Sequence, residues 1–443
     1  MKNLDSSGPI PGYFDSPFPA EDGGPRRQLI PRSPGLALQP GESLAVTSRQ
    51  ALFANMVVLR NPGEVFVQGN SQPWENTTSW VERIDPVSLA TLARSPDLPG
   101  GPFWAGGILA HENGYLYVTY GRFCHKLDTG CNLIASHMLP RPHPYNSLLA
   151  LSDGNLVMKD FVRDGSSRSY FIVLEPGHLE PVGPEVTVPE GSIARISSDR
   201  GASGESVYVV GDHTIFRYRY DGGTLRIDDA WCFRYRTRPP TEQSYGWDPV
   251  IADGCAWFMD NGDNNFRGNF KGTGVATGPL HLVRVSLSDP EDAEIYTPFG
   301  LLHGTIVNPP LIDASRHIAV TYDSGNARIA GFRYGRGTFE GLWEHAFGAS
   351  NHFLLFADTG EIVVNDFDGH TEHVVVLHIE TGAELARVAT GSPVQAALFQ
   401  SPGWARDVYT CTFTTLSRTF VASKGGSAAR SAGAESAGHG EGV

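Results

Sequence analysis

Cysteine is scarce in this chain, long apolar runs are missing and basic charge is in deficit. Each shortage excludes a class of protein. The five cysteines in 443 residues are Cys124, Cys131, Cys232, Cys255 and Cys411. They are odd in number, scattered and in no CxxC pair, which argues for reduced thiols and against a disulfide framework. No apolar run approaches the ~20 residues of a membrane-spanning helix, so no membrane partner is expected. The formal net charge is −14, and no basic stripe interleaves with aromatics. Phosphate contact needs a basic face, so no nucleic-acid partner is expected either. The first residues carry no apolar h-region of a secretory signal, which points to a cytoplasmic protein. No serine sits in GxSxG, and no glycine-rich stretch continues into GK[ST], so α/β-hydrolase and phosphate-loop chemistry have no motif here.

Glycine and proline are plentiful, at 51 and 31 residues, and they punctuate many short β-rich runs. The clearest block is Asn351 to Val388. Its runs Phe353–Phe356, Ile362–Val364, Val374–Leu377 and Glu384–Val388 are separated by Asp358-Thr359-Gly360, Asp366-Phe367-Asp368-Gly369 and Glu380-Thr381-Gly382. Short runs set apart by Asp and Gly predict an antiparallel meander. The first two strands of that unit recur over Met56–Gly69, Gly106–Gly121, Ser147–Phe161, Ala194–Asp212, Pro249–Asn261, Pro310–Asp323, Phe353–Phe367 and Ala396–Cys411.

Eight four-stranded units predict an all-β fold, an eight-bladed β-propeller of antiparallel blades, in which each sheet buries its faces on its neighbours. The eighth unit stops at its third strand, Ser417–Ala422, so a strand near Ser43–Ser48 is expected to supply the fourth and pin the ring shut. The organisation read from sequence is an irregular arm over 1–42, a propeller over 43–422 and a disordered Gly/Ala/Ser-rich tail over 423–443.

The ID-TG-EL-A pattern of His378–Ala386 and Leu127–Ala135 resembles the quinoprotein-like, eight-bladed propeller superfamily of PQQ-repeat and WD-repeat type. The resemblance implies the fold over about residues 50–422. Its functions are spread over dehydrogenases, lyases, assembly factors and scaffolds. Members that use pyrroloquinoline quinone are typically exported and hold calcium beside the quinone. This chain shows no vicinal cysteine pair and no Trp-rich turn closing each repeat, so PQQ is not the expected cofactor.

In such a ring the links between blades share one face with the links between second and third strands. Loops around a shared cavity are where ligand sites are built. The between-blade links carry Trp104, then Arg141, His143, Tyr145 and Asn146, then Tyr245, Trp247 and Asp248, then His303 and Asn308, then His352. Three histidines from three blades are thus expected at one mouth. They are candidate ligands of a divalent metal (His143, His303 and His352) or, with Asp248, a catalytic acid/base set. The plainer reading is that each binds a loop backbone.

Asp160, Asp260 and Asp366 each follow a glycine by six residues at the end of a second strand, with Asp323 and Asp212 nearby. They are candidates for substrate hydroxyls or a cation, or simply for capping their own turns. The insertion over 261–278, with Arg267 and Lys271, is a candidate lid or anion nest, or a plain loop.

Three functions fit these residues. The first is a cytosolic acid/base enzyme of lyase, hydrolase or isomerase type, acting on a small-molecule substrate against a wall of Trp104, Tyr245 and Trp247. The second is a metal-dependent oxidoreductase using the histidines. The third is a non-catalytic interaction scaffold.

Overall fold

The computed structural model describes residues 8–72, 76–162, 167–236, 244–260 and 278–422. The expected tail over 423–443 lies outside them, as do residues 261–277 of the insertion with Arg267 and Lys271. Eight antiparallel sheets form the ring, each of four strands in simple meander order, with one short added strand at Leu98–Gly101. Within each blade, strand a is innermost and strand d outermost. Blade 1 runs through Ala54–Leu59, Val65–Asn70, Thr77–Ile84 and Thr91–Arg94.

Burial explains the sequence pattern. Inner strands lie between neighbouring blades and are buried on both faces. Ala54–Leu59 and Leu116–Tyr120 are buried at every position. Outer strands border solvent, and Leu133–Met138 and Glu384–Ala389 have no buried residue. Tryptophans join blades at the outer positions. Trp231 on blade 4 donates its indole N–H to Ser286 of blade 5, and Trp343 on blade 6 donates to Ile379 beyond blade 7's third strand.

The ring closes as expected. Ser43–Gln50 pairs antiparallel with Thr415–Ala422 over its whole length and serves as the outer strand of blade 8. The Ser48 hydroxyl donates to that of Ser417 at 2.9 Å. Paired cysteines at these two positions, with Cys232→Ser to remove the exposed native thiol, should oxidise to a disulfide across the seam. A cross-link closing so long a loop is expected to add about 2–5 kcal/mol, read as a higher urea midpoint that disappears on reduction.

The irregular arm does more than lead into the ring. It threads across the face of the a–b turns and into the central channel. Strand a is the free inner edge of each sheet, and its inward backbone groups need partners. The arm supplies them. Leu59 donates to Phe18, Ala110 to Pro19, Ser198 to Pro25, Ile251 to Arg26 and Leu355 to Leu29, so blades 1, 2, 4, 5 and 7 are tied to one segment. Phe18, Leu29 and Leu36 are fully buried in the process. Among the described residues, no helix is long and apolar enough to cross a membrane.

Candidate functional site

The channel axis is occupied by charge. Glu21, Asp22 and Arg27 of the arm and Arg195, Asp248 and His352 of the ring are each at most 4% exposed. The Arg27 guanidinium pairs with Glu21 and Asp22 and reaches Asp248 at 3.1 Å. Arg195, at the head of blade 4, donates to Glu21 at 2.9 Å and to the carbonyls of Ala105, Gly106 and Asn146 from blades 2 and 3. Its own backbone N–H donates to Asp248 at 2.6 Å. His352 Nδ1 lies 2.6 Å from Asp22 and its ring packs on Phe399 of blade 8.

Burial pushes Glu21 above the usual carboxylate range despite both arginines. For Asp22 burial is outweighed by Arg27 and His352, which hold it low. Asp22, Arg27 and Leu29 also have φ of 53°, 54° and 61°. L-residues rarely adopt that region, so the network offsets local backbone strain.

Beside this network lies Lys159, fully buried, whose ammonium donates to the carbonyls of Asp160 and Ser192. Burial brings its pKa down to about 8, against the pull of Asp160 and Asp248. The folded state therefore binds fewer protons than the unfolded one between that value and the ordinary one near 10.5, and stability from this group rises with pH across that window. Measured by urea unfolding at pH 7.5 and 10, the native chain should gain up to about 3 kcal/mol relative to Lys159→Met. An unchanged difference would mean the amine is not buried as described.

The rim above the axis is of another kind. Trp104 stacks on Phe161 with ring centroids 4.4 Å apart and meets Trp247 edge-on at 6.4 Å. Trp104, Phe161 and Tyr245 are only partly buried. The Arg236 guanidinium lies 5.0 Å over Tyr245, and Arg141 lies 3.6 Å over Tyr170 while forking onto Glu185. His143 Nδ1 is 3.0 Å from Asp160, and the imidazole is 37% exposed. A buried carboxylate fixing one nitrogen of a half-exposed imidazole leaves the other available to a ligand.

The expected residues are thus divided between two places. Asp248 and His352 are brought together, but inside the axial network. His143 is bound to Asp160 on the rim, and His303 is exposed on its link. Among the described residues no three His, Cys, Asp or Glu side chains are grouped to hold a metal ion, so the three histidines do not form the shared ligand set the sequence suggested. Trp104 and Trp247 meet as a wall, joined by Phe161, which sequence reasoning passed over. Tyr145 is buried and its hydroxyl accepts from the Arg141 N–H. Asn146 donates to Ile193, and Asn308 donates to Ser350, so both amides stitch neighbouring blades together.

The regular aspartates hold the rim links. Asp160 accepts the Tyr170 N–H, and Asp260 accepts those of His281 and Ser244. Asp323 accepts from Thr305 and Asn326, and Asp366 from Gly348 and the Arg387 guanidinium. Burial pushes Asp260 and Asp323 upward in spite of these donors. Each of the last three ties the link entering its blade to the end of strand b.

Arg195, Glu21, Asp22 and Arg27 were missed in the sequence. For Arg195 a signal existed: it stands just before strand a, the place held in other blades by Asp248 and His352.

No family model and no curated protein matches this chain. Among solved structures it is similar to Sqt1 from Chaetomium thermophilum, with TM-score 0.57 and 10% identity over 89% of this chain and 99% of that one. It is also similar to the Dos1 propeller, with TM-score 0.56 and 10% identity over 86% and 97%. A second Sqt1 structure, bound to the N-terminus of a ribosomal protein, gives TM-score 0.53 and 11% identity over 86% and 97%. At such identities the likeness is one of fold.

Proposed function

We propose that this protein is a non-catalytic interaction scaffold whose docking surface is the rim built by the links of blades 2 to 5. One observation carries the reading. The axis, where a propeller enzyme would gather its reacting groups, is filled by the chain's own Glu21, Asp22 and Arg27, and these engage Asp248 and His352. Partly exposed aromatics with polar neighbours remain on the rim, and such residues dominate protein recognition. The fold neighbour bound to a ribosomal protein's N-terminus supports a peptide-sized partner.

The test is selection of random dodecapeptides on the intact protein, counter-screened on a Trp104→Ser/His143→Ala variant whose thermal midpoint is unchanged. Clones that bind the native chain and lose the variant are expected. Failure to recover any rim-dependent clone, or turnover of a small molecule that is lost with His143, would overturn the reading.

A further inference from the structure

The rim gathers arginines on a chain of net negative charge. Its links bring together Arg122 of blade 2, Arg141 and His143 ahead of blade 3, Arg168 of blade 3, His213 of blade 4, and Arg234 and Arg236 ahead of blade 5. Among the described residues, the carboxylates in the same sector are already engaged. Glu185 is forked by Arg141, and Glu190 accepts the backbone N–H groups of His213 and Thr214. Asp160 and Asp260 are buried beneath the links they hold. Arg122 donates to the carbonyls of Leu139 and Pro140. Arg168 and Arg234 are exposed, and no carboxylate among the described residues pairs with either, nor with Arg122. Arg122, Arg168 and Arg234 are therefore left as cations without a carboxylate partner among the described residues, on a chain of net charge −14.

Two of these guanidiniums lie over tyrosine rings, Arg141 over Tyr170 at 3.6 Å and Arg236 over Tyr245 at 5.0 Å. These cation–π contacts place aromatic rings beside two of the rim arginines. The Trp104–Phe161 stack lies beside them and offers a flat apolar surface.

We infer that the rim of blades 2 to 5 docks an acidic linear peptide, its carboxylates on the arginines and an apolar side chain on Trp104 and Phe161. This rests on the scaffold reading and names the partner's chemistry. A nucleic acid is the weaker occupant. The sector has arginines at scattered points and no continuous track, and the rest of the −14 chain repels an extended polyanion. A short peptide places its charges only where the cations are.

The same selected dodecapeptides decide the matter. Rim-dependent clones are expected to be net negative. A synthetic peptide of their consensus should lose affinity by about tenfold or more between 50 and 300 mM NaCl, because rim charges are screened over such a range. Arg168→Glu and Arg234→Glu together should weaken it by about tenfold or more with the thermal midpoint unmoved, since both side chains are exposed. Rim-dependent clones that are neutral or cationic, or that tolerate both reversals, would sink the acidic assignment and leave the docking surface standing. Absence of rim-dependent clones removes both. Tighter binding of a (dT)12 oligonucleotide than of the peptide would overturn the assignment in favour of a nucleic acid.

Discussion

Replacing Arg27 with alanine is expected to destabilise the protein by about 3–5 kcal/mol, the range found when one partner of a buried ion pair is removed. Among the described residues, Arg27 alone is ion-paired with Glu21, Asp22 and Asp248 together. Without it three carboxylates share a desolvated axis with Arg195 and His352 as the remaining partners. The local backbone is also strained, with Arg27 itself at φ 54°.

A cycle of variants separates charge from packing. Arg27→Met keeps most of the volume and loses the charge. Adding Asp22→Asn to it should recover part of the loss, because one stranded carboxylate is gone. If Arg27→Met alone were as stable as the native chain by urea unfolding, the network would be worth no more than an apolar plug. Lowering the pH gives an independent handle. Asp22 is held below its ordinary value, so its contribution is present above the unfolded pKa and is lost as pH falls through the folded one. The acid side of the native stability curve should flatten in Asp22→Asn.

The ring was legible in the sequence because its signal is repeated. Short apolar runs separated by polar, mostly glycine-bearing turns recur eight times, so a wrong strand in one unit is corrected by the others. The closing strand was legible for a counting reason: the last unit had three strands and a candidate near Ser43–Ser48 was left over. The arm was illegible for the opposite reason. A segment rich in Pro, Gly and Ser has no periodicity, and nothing local distinguishes Glu21, Asp22 and Arg27 from solvated charges. Their burial is decided by distant strand edges that lack hydrogen-bond partners. The same limit divided the rim residues from the axial ones. Sequence placed His143, Asp248 and His352 on equivalent links, but Asp248 and His352 are drawn into the axis by Arg27 and Asp22 of the arm that fills the channel, while His143 pairs with Asp160 on the rim. The aspartates show a third case. Their spacing from a turn glycine was real, yet the partner that matters is a backbone N–H of the preceding link, as with Ser244 for Asp260, Thr305 for Asp323 and Gly348 for Asp366, and that pairing crosses two strands.

A glycine in another of these links carries the second large effect. Gly106 enters blade 2 so close to its strand b that an added Cβ would lie 1.6 Å from the Thr119 carbonyl oxygen and 3.0 Å from the Tyr120 Cα. Both obstacles are backbone, so no rotamer change relieves them. The link must move outward, and the Gly106 carbonyl, which accepts from Arg195 at 2.7 Å, must move with it. Gly106→Ala should therefore cost about 3 kcal/mol or more, above the usual penalty for one extra methyl, because it strains the link and loosens the axial network at once. Gly201→Ala is the matched control. It places the same methyl near the outer end of a strand a with nothing within 4 Å, and it should stay within about 0.5 kcal/mol of native. Urea midpoints of the two variants measured side by side test the close approach. Equal stability would mean that the links do not lie against the strands as described, and that Arg195 does not depend on the Gly106 carbonyl for its position.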